Sequence, residues 1–130
     1  MGTKYIEQFV RTNAFLVESQ IALGDLEKGE NVIAILPPNH VLMGVDIEVI
    51  EEGKGTCDVG VKGNANVFIS GVDLATKKNT ISAIRLSSEA KTYSIVLDVK
   101  EEQDKDKGKI IFRMQYFGNQ VRMVDFTIND

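Results

Sequence analysis

Apolar side chains recur at every second residue along several stretches of this chain, and this pattern limits the possible folds more than any other feature. A period of two places successive side chains on opposite faces of a β-strand, so each stretch is predicted to bury one face. The stretches are rich in Val, Ile, Phe and Tyr, which suit a pleated sheet. The clearest sets are Val41, Met43, Val45, Ile47 and Val49; Tyr93, Ile95, Leu97 and Val99; and Ile110, Phe112, Met114 and Tyr116.

Turn-forming residues separate the alternating stretches. Pro37 and Pro38 end one apolar run, because proline cannot continue a sheet ladder. No stretch of helical length holds a period of 3.6, and the best candidate, residues 18–28, is interrupted by Gly24. Nine strands are predicted, near residues 12–22, 32–36, 41–50, 56–62, 66–70, 79–85, 92–99, 109–117 and 120–128.

Many short strands at this spacing predict an all-β fold. We expect an antiparallel two-sheet β-sandwich of jelly-roll type with about eight to nine strands. The length of 130 residues fits one domain. Residues 1–11 are predicted to be an N-terminal arm or edge strand, and residues 12–130 a single sandwich domain.

Some predicted strands carry apolar residues on both faces. Such a strand is either buried on both sides or meets another subunit, and the sequence leaves both possibilities open. The N-terminal stretch is similar, and it is either an edge strand or an arm that docks on a neighbour. The candidate partner contacts from these strands are Tyr5, Ile6, Phe9, Ile111, Phe117 and Phe126.

Charge and hydropathy exclude several classes of function. The net charge is −4 and the lysines are interspersed with glutamates, whereas a nucleic-acid binder gathers Lys and Arg on one face. The longest apolar runs are too short to span a bilayer, and the N-terminus lacks the apolar core of a signal peptide. We therefore expect no direct nucleic-acid binding, no membrane association and assembly in a cytoplasm.

Catalytic and metal sites are not indicated. The single histidine, His40, and the single cysteine, Cys57, cannot build a Cys/His zinc site within one chain. Cys57 lies in an alternating strand and is predicted to be a buried apolar residue. Asp46 and Glu48 point away from the core set and are predicted to lie on a solvated strand face instead of forming an acid/base pair. The expectation is a protein without catalytic residues, cofactor or metal.

The stretch from Thr56 to Leu74 is rich in Asp, Asn and Gly and raises the question of an ion site. Asp58, Asn64, Asn66 and Asp73 carry the oxygens that calcium prefers, but the DxDxDG spacing is missing. Asp and Asn beside glycine also stabilise turns, and this interpretation is favoured. A sugar-binding platform is disfavoured because tryptophan is absent and aromatics make up only 7% of the chain, with Tyr5 as the best exposed candidate.

Four segments together resemble a class of small structural proteins of tailed bacteriophages. They are VIAILPPNHVLMGVDIEV, TCDVGVKGNANVFISGVDLAT, TYSIVLDV and GKIIFRMQYF. The class includes head decoration (cement) proteins. The resemblance implies a non-enzymatic virion protein on the capsid exterior that binds the major capsid protein as a homo-oligomer, with a trimer favoured. The alternative is a receptor- or carbohydrate-binding module of a phage tail or fibre.

Overall fold

A computed structural model describes residues 3–11, 13–118 and 121–129, without the side chains of Val121, Phe126 and Asn129. In this part of the chain there are eleven strands and one short 3-10 turn, Leu23–Asp25. The strands are β1 (Thr3–Arg11), β2 (Ala14–Ala22), β3 (Gly29–Leu36), β4 (His40–Glu51), β5 (Thr56–Val61), β6 (Asn64–Asp73), β7 (Asn79–Ser82), β8 (Leu86–Ser87), β9 (Tyr93–Val99), β10 (Lys109–Gly118) and β11 (Val121–Asn129).

The strands pair in a nested antiparallel order. β1 pairs with β11, β2 with β10, β3 with β9, β4 with β7 and β5 with β6. The two layers have the orders β2-β10-β4-β7 (the large sheet, where β8 also pairs with β4) and β3-β9-β5-β6 (the small sheet). This is the strand order of a jelly roll, a long antiparallel ribbon wrapped into two sheets. The predicted all-β sandwich is confirmed.

The core lies between the two sheets and is formed by the alternating residues. From the large sheet, Ile47, Phe112 and Met114 are fully buried, and the small sheet contributes Val59 and Leu97. Each of these strands presents its other face outward, as an amphipathic strand in a sandwich must. Tyr93 and Tyr116 are half-buried against the same cluster, as their place in the alternation predicted.

The strand count is higher than the predicted eight to nine because two elements are added. β1 was expected as an arm or edge strand, and β8 has two residues, too few to show a period. The boundaries also shift. The predicted turn at 63–66 is a two-residue turn at Lys62 and Gly63, so β6 begins at Asn64 and continues to Asp73. Gly63 has a φ of 92°, which glycine adopts without strain.

Met43 was predicted to face the core, and this prediction is wrong. The register between β4 and β10 shifts between Gln115 and Tyr116, which pair with Gly44 and Leu42. This bulge skips Met43, so Leu42 is fully buried and Met43 is 39% exposed. A period of two in the sequence cannot reveal such a shift, because the extra residue changes the face without breaking the apolar pattern.

β1 and β11 form a two-stranded sheet of their own, which we call the ribbon. They continue the pairing of β2 with β10 beyond the large sheet. Thr3 pairs with Asn129 and Arg11 with Val121, whereas Ala14 pairs with Phe117, so the register changes by one residue at the junction.

Candidate interaction surface

Large apolar side chains that remain exposed lie mainly on the ribbon and on the outer face of the large sheet. Isolated exposed apolar residues are normal, but a contiguous group marks an interaction site. The ribbon group is Tyr5, Phe9, Met123 and Ile128, and the large-sheet group is Leu16, Met43, Ile81 and the neighbouring Ile84. Outside these groups, the other large apolar side chains that are exposed among the described residues are Phe15, Val32 and Ile35.

One face of the ribbon is acidic. Alternation and register place Tyr5, Glu7 and Phe9 on the same face as Met123 and Asp125. Glu7 lies directly opposite Asp125, and like charges in this position destabilise a strand pair. A hydrogen bond from the Tyr5 hydroxyl to Asp125, together with slight desolvation, raises the pKa of Tyr5, so this phenol stays protonated at neutral pH.

The opposite face of the ribbon is basic. It carries Lys4 near the tip, Arg122 near the base and the half-buried aliphatic residues Ile6, Val10 and Val124 between them. Among the described side chains of this basic face there is no carboxylate. The two faces therefore combine apolar surface with opposite charge.

A cleft lies where the ribbon meets the sandwich. The cleft has a volume of about 450 Å³ and is lined by Phe9, Val10, Arg11, Met43, Arg85 and Phe117. Because Met43 also borders the large-sheet surface, the cleft joins the two apolar groups. The exposed apolar surface is thus continuous from the ribbon to the sheet.

The outer face of the large sheet has a shallow depression of about 210 Å³. Leu16, Met43 and Ile81 border it, and Asp46 and Arg113 also line it. Ile81 is 71% exposed, and no core packing explains an isoleucine there. An apolar rim around an ion pair is suited to a protein partner, because a small ligand requires deeper enclosure.

Arg113 organises the charges on this face. Its Nε donates to Glu18 Oε2 at 2.8 Å, Nη1 to Asp46 Oδ1 at 3.2 Å and Nη2 to Glu48 Oε1 at 2.9 Å. These bonds, the one to Glu18 first, raise the pKa of the guanidinium. Asp46 and Glu48 were predicted to be strand-face carboxylates, and they are held by Arg113 on that face.

The structure places the six predicted partner contacts on the ribbon, in the cleft and on β10. Tyr5 and Phe9 are exposed on the ribbon, Ile6 is half-buried on its basic face, and Phe117 lines the cleft. Ile111 is half-buried on the outer face of β10. The side chain of Phe126 lies outside the described part of the chain, and its backbone pairs with Ile6.

Sequence reasoning missed the residues that complete the large-sheet group. Leu16 lies on β2, where the apolar residues alternate irregularly, and Ile81 lies on β7, which has only 4 residues. Met43 was placed in the core because the bulge was hidden. The adjacent pair Phe15 and Leu16 was a usable signal, since two neighbouring apolar residues in a strand must face opposite sides.

Cys57 is buried in the small sheet, as predicted. Burial, followed by the charges of Asp58 and Asp98, raises the pKa of its thiol to about 12, so it carries no thiolate at neutral pH. His40 belongs to the other sheet, where its ring contacts Phe15 and Tyr116 at centroid distances of 5.9 Å and 5.3 Å. The arrangement does not form a cysteine–histidine nucleophile.

The aspartates of the 56–74 stretch have structural partners. Asp58 accepts a hydrogen bond from the Gly71 N–H at 2.8 Å and pairs with Lys100 at 3.3 Å. Asp73 accepts from Thr76 Oγ1 at 2.7 Å and from the Ala75 N–H at 2.9 Å, and the Thr76 bond is the main cause of its lowered pKa. Both side chains serve local structure. No group of three or more metal-ligating side chains occurs within residues 3–11, 13–118 and 121–129.

The same ranges contain no helix that is long and apolar enough to cross a bilayer. No protein-family model matches the sequence, and a search of curated proteins gives no match. The fold, in contrast, has relatives among solved structures.

The structural relatives include chains from three phage capsids. A chain of the acid-stable capsid of Helicobacter pylori bacteriophage KHP30 superposes with a TM-score of 0.73 at 23% identity, covering 93% of this chain and 100% of that one. A chain of the Ralstonia phage GP4 capsid gives 0.64 at 15% identity, covering 85% and 88%. A chain of the cyanophage Pam1 capsid asymmetric unit gives 0.54 at 14% identity, covering 89% and 86%. The protein has a fold that occurs in phage capsids.

Proposed function

We propose that this protein is a non-enzymatic virion structural protein that binds and stabilises a bacteriophage capsid lattice as a decoration (cement) protein. The observation that supports this most is the superposition on whole capsid chains. The match covers 93% of this chain and all of the KHP30 chain, so both are small sandwiches of similar extent. A sandwich that matches an entire capsid chain supports a structural role in the shell.

The mechanism is stabilisation by mass action. A protein that binds the assembled lattice and not the free subunits lowers the free energy of the lattice by RT ln(1 + [L]/Kd) at each site. This amounts to about 2.7 kcal/mol when the free concentration is 100 times Kd. Many equivalent sites on a shell add these increments, and avidity slows release.

The partner is the major capsid protein, which this protein binds on the exterior of the capsid. Of the predicted partner contacts, Ile111 and Phe117 extend the large-sheet group, which binds the capsid protein. Tyr5, Ile6, Phe9 and Phe126 belong to the ribbon, which is available to a second copy of the protein. The apolar rim of Leu16 and Ile81 supports a protein–protein contact there. A homo-oligomer, with a trimer favoured, fits the closed symmetry of most oligomers and of shell sites.

Virions with and without the protein test the function. We expect the protein to copurify with virions in many copies, and virions that lack it to release DNA at a lower temperature. Adding purified protein back should restore the release temperature. Recovery of the protein only in the particle-free fraction would contradict the proposal.

A matched pair of variants tests the surface. Ile81→Glu adds a charge to the large-sheet group, and Val32→Glu adds the same charge to the small sheet, where Val32 is 59% exposed. We expect Ile81→Glu to weaken binding to protein-free particles at least ten-fold and Val32→Glu to bind like the wild type. An equal loss of binding in both variants would show that the large sheet is not the binding face.

The alternative role in a tail or fibre predicts a different result. Glycan binding that is lost in Tyr5→Ala would support it, since Tyr5 is 63% exposed. Absence of the protein from tail-less heads would point the same way.

A further inference from the structure

We propose that copies of this protein associate through the ribbon, with the acidic face of one copy stacked on the basic face of the next. The contact is therefore head-to-tail and closes into a ring of three or more copies. This deepens the oligomer part of the proposed function, and it assigns the ribbon to copy-to-copy contact while leaving the large-sheet group for the shell.

The ribbon requires a partner because it has no second layer. A two-stranded antiparallel ribbon is marginally stable alone in water, and a third strand or a packed face is needed to hold it. Tyr5, Phe9 and Met123 are each more than half exposed on the acidic face. Ile6 and Val124 on the basic face are only half-buried. Both faces therefore gain from being covered.

Charge decides what covers each face. The acidic face has Glu7 and Asp125 side by side at its centre, an arrangement that is unfavourable until a cation approaches. The basic face presents Arg122, which is exposed. Lys4 adds a second positive charge to this face, although it also has an interaction within its own chain, so Arg122 carries the argument.

The spacing allows these groups to meet. Arg122 pairs with Val10, three residues along β1 from Glu7. At about 3.4 Å per residue this is about 10 Å, so an offset of that size between stacked ribbons places the acidic pair of one copy over Arg122 of the next. When the two ribbons run in opposite directions, Phe9 and Met123 then lie over Gln8 and Val124 of the neighbouring basic face.

A two-fold contact is disfavoured by the same charges. An isologous pair of acidic faces would bring two copies of Glu7 and Asp125 together, and a pair of basic faces would bring two copies of Arg122 together. Arg11 also lies on the acidic side, but at the base of the ribbon, where it lines the cleft with Arg85. A heterologous contact avoids both repulsions, and it must close as a ring or extend as a filament.

Charge reversal on each face provides the test, with the oligomer of the purified protein measured by native mass spectrometry and sedimentation. Glu7→Lys with Asp125→Lys makes both faces positive, and Lys4→Glu with Arg122→Glu makes both negative. We expect each double variant to associate about a hundred-fold more weakly than the wild type. The combined quadruple variant exchanges the two faces and should recover association to within about three-fold of the wild type.

The control for Glu7→Lys with Asp125→Lys is Glu102→Lys with Asp106→Lys, which changes the net charge by the same amount and sign in an exposed loop away from the ribbon and should leave association unchanged. Thermal unfolding of every variant checks that the sandwich is intact. A monomeric, two-fold dimeric or filamentous wild type, double variants that associate normally, or a quadruple variant that fails to recover would each overturn the inference. The capsid-binding experiment is separate, so a ring that does not protect virions would contradict the proposed function and leave the ring intact.

Discussion

The chain segment that contains β1 and β2 pairs with the segment that contains β10 and β11. This pairing runs through both the ribbon and the sandwich, yet the two regions differ in burial. In the sandwich, β10 buries Ile110, Phe112 and Met114 completely. In the ribbon, β1 also carries apolar residues on both faces, Tyr5 and Phe9 on one and Ile6 and Val10 on the other, and none of its side chains is buried. The difference is the second layer, because the small sheet covers one face of β10, whereas neither face of the ribbon is covered by another sheet. Alternation thus determines which faces are apolar, and the neighbouring layer determines which of them leave water.

Removing a core side chain should have the largest effect on the sandwich. Phe112→Ala deletes a fully buried ring at the centre of the large sheet and should lower the free energy of unfolding by about 3–5 kcal/mol. Ile111→Ala, on the outer face of the same strand, should cost only about 1 kcal/mol. Urea unfolding of both variants measures the difference. Equal losses of unfolding free energy in the two variants would mean that β10 does not bury only one of its faces.

Adding a methyl group where two neighbouring strands of the small sheet, β5 and β6, approach closely should have the next largest effect. A Cβ at Gly60 would lie 2.3 Å from the Asn64 carbonyl oxygen and 2.4 Å from the Ala65 carbonyl carbon. Both contacts are with backbone, so Gly60→Ala should cost about 1–3 kcal/mol.

The matched control is Gly63→Ala, which has open space around the Cβ and loses stability only because of its positive φ. Its cost should be about 1 kcal/mol. If Gly63→Ala cost more than Gly60→Ala, the close approach of β5 and β6 at Gly60 would be disproved. Differential scanning calorimetry of the two variants decides this.

The fold was largely predictable from the sequence, and the interaction surface was predictable only in part. Alternating residues such as Ile47 and Leu97 reveal a strand and its buried face, and the nine predicted turn-separated strands leave few alternatives to a sandwich. The position of Met43 was not predictable, because the bulge depends on pairing with β10. The partner of β1 was not predictable either, since pairing across more than 100 residues leaves no local pattern.

The charge clusters on the outer faces of the two sheets were also not predictable from the sequence. Arg113 and its three carboxylate partners come from β2, β4 and β10, which are adjacent only after folding. On the small sheet, Asp58 and Asp98 lie directly opposite each other, and Lys100 contacts them at 3.3 Å and 2.7 Å. Neither cluster has a signature in the sequence.

Lys100→Met tests how far a charge pair supports the small sheet. Removing the ammonium leaves Asp58 and Asp98 facing each other, so the melting temperature at pH 7 should fall by less than in Gly60→Ala.

The wild type should show the complementary behaviour at high pH. Hydrogen bonds to Asp98 and Asp58 raise the pKa of Lys100 above 10.5 in the folded state, so the folded protein holds this proton more tightly than the unfolded chain. The stabilisation is therefore complete below pH 10.5 and is lost as the pH rises through the folded pKa. Melting curves that have the same pH dependence in wild type and Lys100→Met would contradict this role.

The smallest effect on unfolding should come from the ribbon, where Phe9 is 62% exposed and lies opposite Met123. Phe9→Ala removes no core contact, so the free energy of unfolding, measured at dilutions where the protein is monomeric, should change by less than about 0.5 kcal/mol. Association should weaken about ten-fold, because an exposed aromatic side chain at the proposed contact acts as an anchor. Val32→Ala, equally exposed on the small sheet, should change neither quantity. A loss above about 1 kcal/mol in monomeric Phe9→Ala would show that the ribbon is stabilised within its own chain, and the contrast between the covered sandwich and the uncovered ribbon would no longer hold.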